Sequence, residues 1–409
     1  MKKKSGALRL SLFIIVFVMG YSYVFSQASP HSEDTHRVMT DALNISNAVI
    51  NASETSLAKP LDQSMAAPKL SARSAALIDV ESGRILYGQD MDRELPIASL
   101  TKIMTAIVAI EEGDINDLVT VSPRAVGVEG SSIYLQQGET LRLNDLLYGL
   151  MLRSGNDAAV AIAEHVGGSV PGFVRLMNEK AAWLGLNHTH FMNPHGLDEE
   201  GHYASAHDLA VLSAYALKNP VFQEIVKTTK TTAPLPGAAW DRLWINKNKM
   251  LRLYPGADGI KTGYTEMAKR CLASSATRNG IQLAAIVLND GNDWEDSMAL
   301  LDYGFTHFDW VRLADPLTPI VETHDQVTYR LTVRRPFVYP LQADELPRVT
   351  SHILWSDQNI TWQKKHDEEP LALGIATLEI KIGEKMIARL PLDGTVLKTT
   401  SMKKGADGS

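Results

Sequence analysis

Ser99 and Lys102 stand three residues apart in the run Ala98-Ser99-Leu100-Thr101-Lys102. On a helix that spacing puts both side chains on one face, so the Lys102 amine reaches the Ser99 hydroxyl. A serine hydroxyl is a weak nucleophile until an adjacent base takes its proton. A lysine can be that base only where burial or neighbouring cations lower its pKa. Alone, Ser-x-x-Lys is a common spacing and equally describes a solvated first helical turn. Two further segments change its weight. Ser154-Gly155-Asn156 offers a hydroxyl and an amide at a helix break, where a change of backbone direction can aim side chains into a cleft. Lys261-Thr262-Gly263 opens a strand with a cation and a hydroxyl beside a glycine, which lets a substrate backbone approach closely.

These segments need a scaffold that brings residues 99, 154 and 261 together. Ala75 to Asp79 and Ile85 to Tyr87 read as a strand hairpin around Glu81-Ser82-Gly83. A helix runs from about Ser99 to Glu112 and stops at Gly113, its Ile103, Ile107 and Ile110 facing a core. Asn144-Asp145 starts a second helix through Leu150, Ser154 falls at its end, and Asp157 to His165 resumes a helical pattern. Ser205-Ala206-His207-Asp208 caps another helix through Leu212. Strands return with Gly259 to Gly263, Cys271 to Ala276 and Gln282 to Leu288, the last two joined at Asn279-Gly280, a type I′ hairpin signal. Trp294 to Phe308 reads as an amphipathic helix. The predicted class is α+β: an antiparallel sheet, whose first and last strands must meet, with a helical subdomain between them. From Val311 the alternation of Val327, Tyr329, Leu331 and Val333, and of Leu378, Ile380 and Ile382, predicts a small all-β domain.

Composition narrows the setting. Of 409 residues, 45% are hydrophobic and 21% charged, as in soluble globular proteins, and the net charge of −7 with no Lys/Arg run gives no nucleic-acid surface. Lys2, Lys3, Lys4 and Arg9 precede an apolar run from Leu10 to Phe25 and the small-residue site Ser26-Gln27-Ala28, which predicts a secretory signal peptide over 1–28, with an uncleaved anchor as the alternative. A polar linker is expected over 29–70, the catalytic domain over 71–310, the β domain over 311–398 and a polar tail over 399–409. Cys271 is the sole cysteine and reads as a small residue entering a strand. The twelve histidines show no metal-ligand spacing, so no metal and no cofactor are expected.

In the order Ser-x-x-Lys, Ser-x-Asn, Lys-Thr-Gly, the three segments are jointly specific. With Leu152 to Ala158, Asp258 to Thr265 and Asn193-Pro194-His195-Gly196-Leu197 around them, residues 71–308 resemble the low-molecular-mass penicillin-binding proteins, the serine D-alanyl-D-alanine carboxypeptidases of peptidase family S11. The resemblance implies a β-lactamase/transpeptidase-like catalytic domain followed by a β domain. It implies that Ser99 attacks the carbonyl between two terminal D-alanines of a peptidoglycan stem peptide, with Lys102 as base. Ser154 would relay the proton to the leaving D-alanine, and Asn156 would orient Lys102. Lys261 and Thr262 would hold the terminal carboxylate beside Gly263, and Lys261 would also be the second cation that lowers the Lys102 pKa. The oxyanion would lie between the N–H groups of Ser99 and Tyr264. β-Lactam antibiotics would acylate Ser99. Exported, extracytoplasmic action follows, with membrane or cell-wall association left open.

Two stretches depart from the family. Asn289 to Asp296 contains no arginine where some relatives place one against the substrate carboxylate, and Gly394 to Ser409 has no apolar face for a membrane-anchoring helix. The alternatives are a class A-like β-lactamase, disfavoured because no Glu-x-x-Leu-Asn segment lies between Asn156 and Lys261; a transpeptidase; and a non-catalytic wall-binding protein, disfavoured because all three motifs are intact.

Overall fold

The computed structural model describes residues 67–399 except 236, 238, 357–361 and 364–370. The expected signal peptide, most of the linker and the polar tail lie outside the described residues.

Five antiparallel strands carry the frame: β1 (Ser74–Asp79), β2 (Ile85–Gln89), β3 (Ala257–Thr265), β4 (Lys269–Arg278) and β5 (Ile281–Asp290), in the order β2-β1-β5-β4-β3. The first strands of the chain therefore meet the last through β1 and β5, with Ala75 opposite Val287 and Ile78 opposite Ala284. Cys271–Ala276 and Leu283–Leu288 are buried without alternation because both sheet faces are covered. Residues such as Ala76, Ala273 and Ile286 face the helical side, while Leu77, Leu272 and Val287 face the far side. The β4–β5 turn has positive φ at Asn279 (52°) and Gly280 (79°), the geometry that an Asn-Gly hairpin accommodates.

The helices are α1 (Thr101–Glu112), α2 (Leu143–Arg153), α3 (Asn156–Gly167), α4 (Val170–Trp183), α5 (Ala206–Leu217), α6 (Pro220–Lys227), the single turn α7 (Met250–Leu253) and α8 (Asp293–His307). α1 is buried along Thr101–Ala109, so it runs through the helical core with a lysine inside it. α8 closes the far face with Leu300 and Leu301. The acidic stretch before and within α8 is structural. Asp296 accepts the Ser71 and Ala72 N–H groups at 2.6 and 3.1 Å, Asp290 accepts the Ser71 hydroxyl at 2.5 Å, and Asp293 pairs with Arg270.

One sequence expectation needs correcting. Ser99 does not lie in α1: Ala98–Leu100 form a 3-10 turn and the α-helix starts at Thr101. The cause is local. Ala98 has φ +48°, in the left-handed region, which cannot be propagated as a right-handed helix.

Beyond α8, strand Asp309–Ala314 straddles residue 310 and pairs with Phe337–Leu341. Strands Ile320–His324, Val327–Val333, Lys385–Thr399, Leu371–Ile382 and Val349–Trp355 then form an antiparallel sheet in that spatial order, over a cluster of their own that includes Leu331, Ile380 and Leu392. Arg84 links this part to the frame. Its guanidinium donates to the Pro340 carbonyl at 2.5 Å and to Glu345 at 2.6 Å, and lies against the Phe308 and Tyr339 rings. Trp310 Nε1 donates to Asp79 at 2.9 Å.

Candidate active site

The three predicted segments converge at the N-terminal end of α1. The strand segment arrives by close contact: a Cβ on Gly263 would come within 3.2 Å of the Ser99 nitrogen and of the Ile97 carbonyl oxygen. Glycine is therefore the residue that lets β3 lie against the Ser99 turn. Ser154 arrives by a helix break. It ends α2 in the left-handed region (φ 65°, ψ 34°), and α3 restarts at Asn156. That reversal puts Ser154 Oγ 2.9 Å from Ser99 Oγ. Ser99 itself is half-buried.

Lys102 is fully buried and its amine has three oxygen neighbours: Asn156 Oδ1 at 2.7 Å, the His195 carbonyl at 2.5 Å and Ser99 Oγ at 3.0 Å. The Asn156 amide cannot turn over, because its Nδ2 donates to the Glu129 carbonyl at 2.6 Å. Two of the three neighbours are therefore acceptors without protons and claim two N–H bonds. A neutral amine then directs its lone pair at Ser99 Oγ and accepts the serine proton, and an ammonium donates to all three. Both charge states fit without rearrangement. Burial pushes the Lys102 pKa well below the usual lysine range, helped by the Lys261 and Lys247 charges, so the neutral form is accessible.

Lys261 is also buried, and burial with the Lys247 charge lowers it to about 7. Its amine donates to the Thr262 carbonyl at 2.8 Å. Thr262 is half-buried, and the Tyr264 side chain is 64% exposed, so only its backbone is held in the strand.

Sequence reasoning missed Lys247 and gave no role to the loop at Asn193–Leu197. Lys247 donates to Ser131 Oγ at 3.1 Å, and its N–H bonds the Leu152 carbonyl at 3.1 Å beside Ser154. No spacing marks it, because its site partners are distant in sequence. Asn193 Oδ1 accepts the Gly196 N–H at 2.7 Å, and Thr105 Oγ1 holds the Pro194 carbonyl at 2.6 Å, which leaves the His195 carbonyl facing Lys102. Asp157, next to Asn156, holds the segment Ser132 to Leu135 by accepting the Ile133 and Leu135 N–H groups and the Ser132 hydroxyl. Cys271 is buried and its thiol is pushed up to about 12 by burial, which keeps it from acting as a thiolate.

Lys247 supplies a pH test. A neighbouring cation disfavours the ammonium, so its removal raises the pKa of Lys102 and Lys261. The base form of Lys102 exists only above its pKa. With Ser99 as the expected nucleophile and Lys102 as its expected base, Lys247→Met is predicted to move the acid limb of penicillin acylation to higher pH, with the rate on the high-pH plateau within about threefold of wild type. The check is the acylation rate by a fluorescent penicillin across pH; an unmoved or lowered limb refutes this coupling.

A family model described as D-alanyl-D-alanine carboxypeptidase matches residues 61–292. The chain is 40% identical over 248 residues to the D-alanyl-D-alanine carboxypeptidase DacF of Bacillus subtilis, covering 58% of this chain and 63% of that one. It is 31% identical over 352 residues to DacC of Escherichia coli, covering 81% and 85%. Among solved structures, penicillin binding protein 5 from Haemophilus influenzae superposes with a TM-score of 0.66 at 26% identity, over 82% of this chain and 99% of that one. A Streptomyces K15 DD-transpeptidase variant superposes with a TM-score of 0.56 at 33% identity, over 58% and 99%.

Proposed function

The chain belongs to the D-alanyl-D-alanine carboxypeptidase family, peptidase family S11, and on that premise we propose that it removes the terminal D-alanine from peptidoglycan stem pentapeptides through an acyl-enzyme on Ser99. The observation that carries this reading is the Lys102 amine, buried between two fixed carbonyl acceptors with Ser99 Oγ as its third neighbour at 3.0 Å.

Ser99 Oγ attacks the carbonyl carbon between the two terminal D-alanines, and its proton passes to Lys102 Nζ. The developing oxyanion accepts from the N–H groups of Ser99 and Tyr264, a reading supported by the close approach of Gly263, the residue before Tyr264, to the Ser99 nitrogen. The C–N bond then breaks, and the leaving amine takes a proton through Ser154 Oγ, which already contacts Ser99 Oγ. Asn156 holds Lys102 throughout. Lys261 and Thr262 bind the terminal carboxylate without an arginine from 289–296. Water attacks the ester and gives a proton to Lys102, which passes it to Ser99 Oγ as the ester C–O bond breaks and the shortened peptide leaves. β-Lactams enter as carbonyl analogues of the same dipeptide and stay on Ser99.

The same reading makes the protein extracytoplasmic, exported by residues 1–28, with a catalytic domain over 71–310 and the β domain over 311–398 holding it relative to the wall or membrane. Among the described residues no helix is long and apolar enough to cross a membrane.

The deciding experiment is mass spectrometry of a stem pentapeptide after incubation with the protein. Loss of one alanine supports a carboxypeptidase. A cross-linked product would replace water by an amine as acceptor, and rapid multiple turnover of a chromogenic cephalosporin would replace the reading by a β-lactamase. No covalent penicillin and no change in the peptide would leave a wall-binding protein.

A further inference from the structure

One buried imidazole beside the nucleophile has no part in the mechanism above. His202 is 7% exposed and its ring packs edge-on against Phe191. Its Nδ1 accepts the Met192 N–H at 3.1 Å, so the ring proton sits on Nε2. Nε2 lies 2.8 Å from Thr101 Oγ1, and the Thr101 hydroxyl in turn donates to the Ala98 carbonyl at 2.9 Å. Burial, with the nearby His190 and Lys102 charges, lowers His202 to about 4 against the opposing influence of Asp198, so at neutral pH the ring is neutral and keeps both bonds.

The chain of bonds ends on the residue that sets the nucleophile's direction. Ala98 is the left-handed residue immediately before Ser99, a conformation that a non-glycine residue holds only when its surroundings impose it. Its carbonyl also takes the Thr101 N–H. Gly196 packs onto that same oxygen so tightly that a Cβ there would stand 1.9 Å away. One loop, Asn193 to His202, therefore holds both partners. Its His195 carbonyl orients Lys102, and its His202 imidazole acts on the Ser99 side.

We propose that His202 is a positioning residue for the acyl-enzyme reaction, which through the Thr101 hydroxyl pins the Ala98 carbonyl and so holds the turn that aims the Ser99 hydroxyl and N–H. The inference rests on Ser99 being the nucleophile, as set out above. It requires His202 and Thr101 to act as one unit on the chemical step, while substrate affinity, held by Lys261 and Thr262, is left almost unchanged.

The test is the rate of Ser99 acylation by a fluorescent penicillin as a function of its concentration, at a temperature where circular dichroism shows each variant folded. In His202→Leu and Thr101→Val the saturating rate is expected to fall about tenfold or more, with the half-saturating concentration moving less than about threefold. Thr101→Ser, which keeps the hydroxyl, and His202→Gln, which keeps an N–H donor, are expected to retain most of the rate. The double variant is expected to be no slower than the slower single, since both break one chain. If His202→Leu does not fold, the Thr101→Val and Thr101→Ser pair decides. Folded His202→Leu or Thr101→Val acylating at the wild-type saturating rate, losses that multiply in the double variant, or Thr101→Ser as slow as Thr101→Val would each overturn the positioning role while leaving Ser99 as nucleophile. A wild type that takes no label overturns the acyl-enzyme reading, and this inference falls with it.

Discussion

Ser99→Ala is expected to take no covalent penicillin and to lose about 10⁴-fold or more of its turnover on a stem pentapeptide, with its fold intact. Both halves of that expectation follow from the site. Ser99 Oγ lies 3.0 Å from the Lys102 amine and 2.9 Å from the Ser154 hydroxyl, on a residue that is only half-buried. In the proposed mechanism its removal deletes the nucleophile and leaves the other proposed groups in place, so non-covalent peptide binding is expected to persist. Stability changes little, because Ser99 is half-buried and the turn is held by the backbone and side chains of its neighbours. Gel fluorescence and intact mass after labelling give the first readout, thermal melting the second. Label on Ser99→Ala equal to wild type would move the nucleophile elsewhere, with Ser154 the next hydroxyl in line.

Lys102→Arg keeps a cation on the same helical turn and is expected to lose about 10²- to 10⁴-fold in acylation, the range of a general base. A guanidinium stays protonated in proteins and has no lone pair to take the Ser99 proton. Lys102 is poised because burial and the Lys261 and Lys247 charges all disfavour its ammonium form. Arginine cannot answer that environment by releasing a proton, so the site would hold an uncompensated charge as well as lose its base. Lys102→Met, which removes the charge and most nearly keeps the shape, separates the two effects: it should fold and still fail to acylate. The wild-type acid limb should lie below the ordinary lysine range, and acylation rates of the three proteins across pH check this. A Lys102→Met protein that acylates near the wild-type rate would transfer the base role to another group.

Much of the frame is legible because its signals are local. The Asn279-Gly280 turn requires two positive φ values, which those residue types tolerate, and it sits where expected. Ser205 caps α5 by accepting the Asp208 N–H, as its spacing implies. The short strand pairs Leu118–Thr120 with Thr140–Arg142 and Lys230–Ala233 with Arg242–Ile245 were not legible: each strand has too few residues for a period, and the partners are separated in sequence. The helix expected from about Ser99 opens as a 3-10 turn instead, because nothing in the residue type of Ala98 marks its left-handed conformation. Contacts from Gly196, Thr101 and Gly263, distant in sequence or across a turn, set its conformation.

At the site the same division holds at the level of atoms. The sequence by itself determined the reagents: a serine with a lysine one turn away, a Ser-x-Asn and a Lys-Thr-Gly, in an order that leaves few chemistries open. Composition and spacing carry that much because reactive groups are covalent properties of residue types. Only the tertiary structure decided what the reagents can do. The proton affinity of Lys102 depends on the water removed around it and on charges 145 and 159 positions further along the chain, at Lys247 and Lys261. The direction of its lone pair depends on two oxygens, from Asn156 and His195, that reach it through unrelated elements. Desolvation and hydrogen-bond direction are set by what lies within a few ångströms in space, and a linear spacing does not record them.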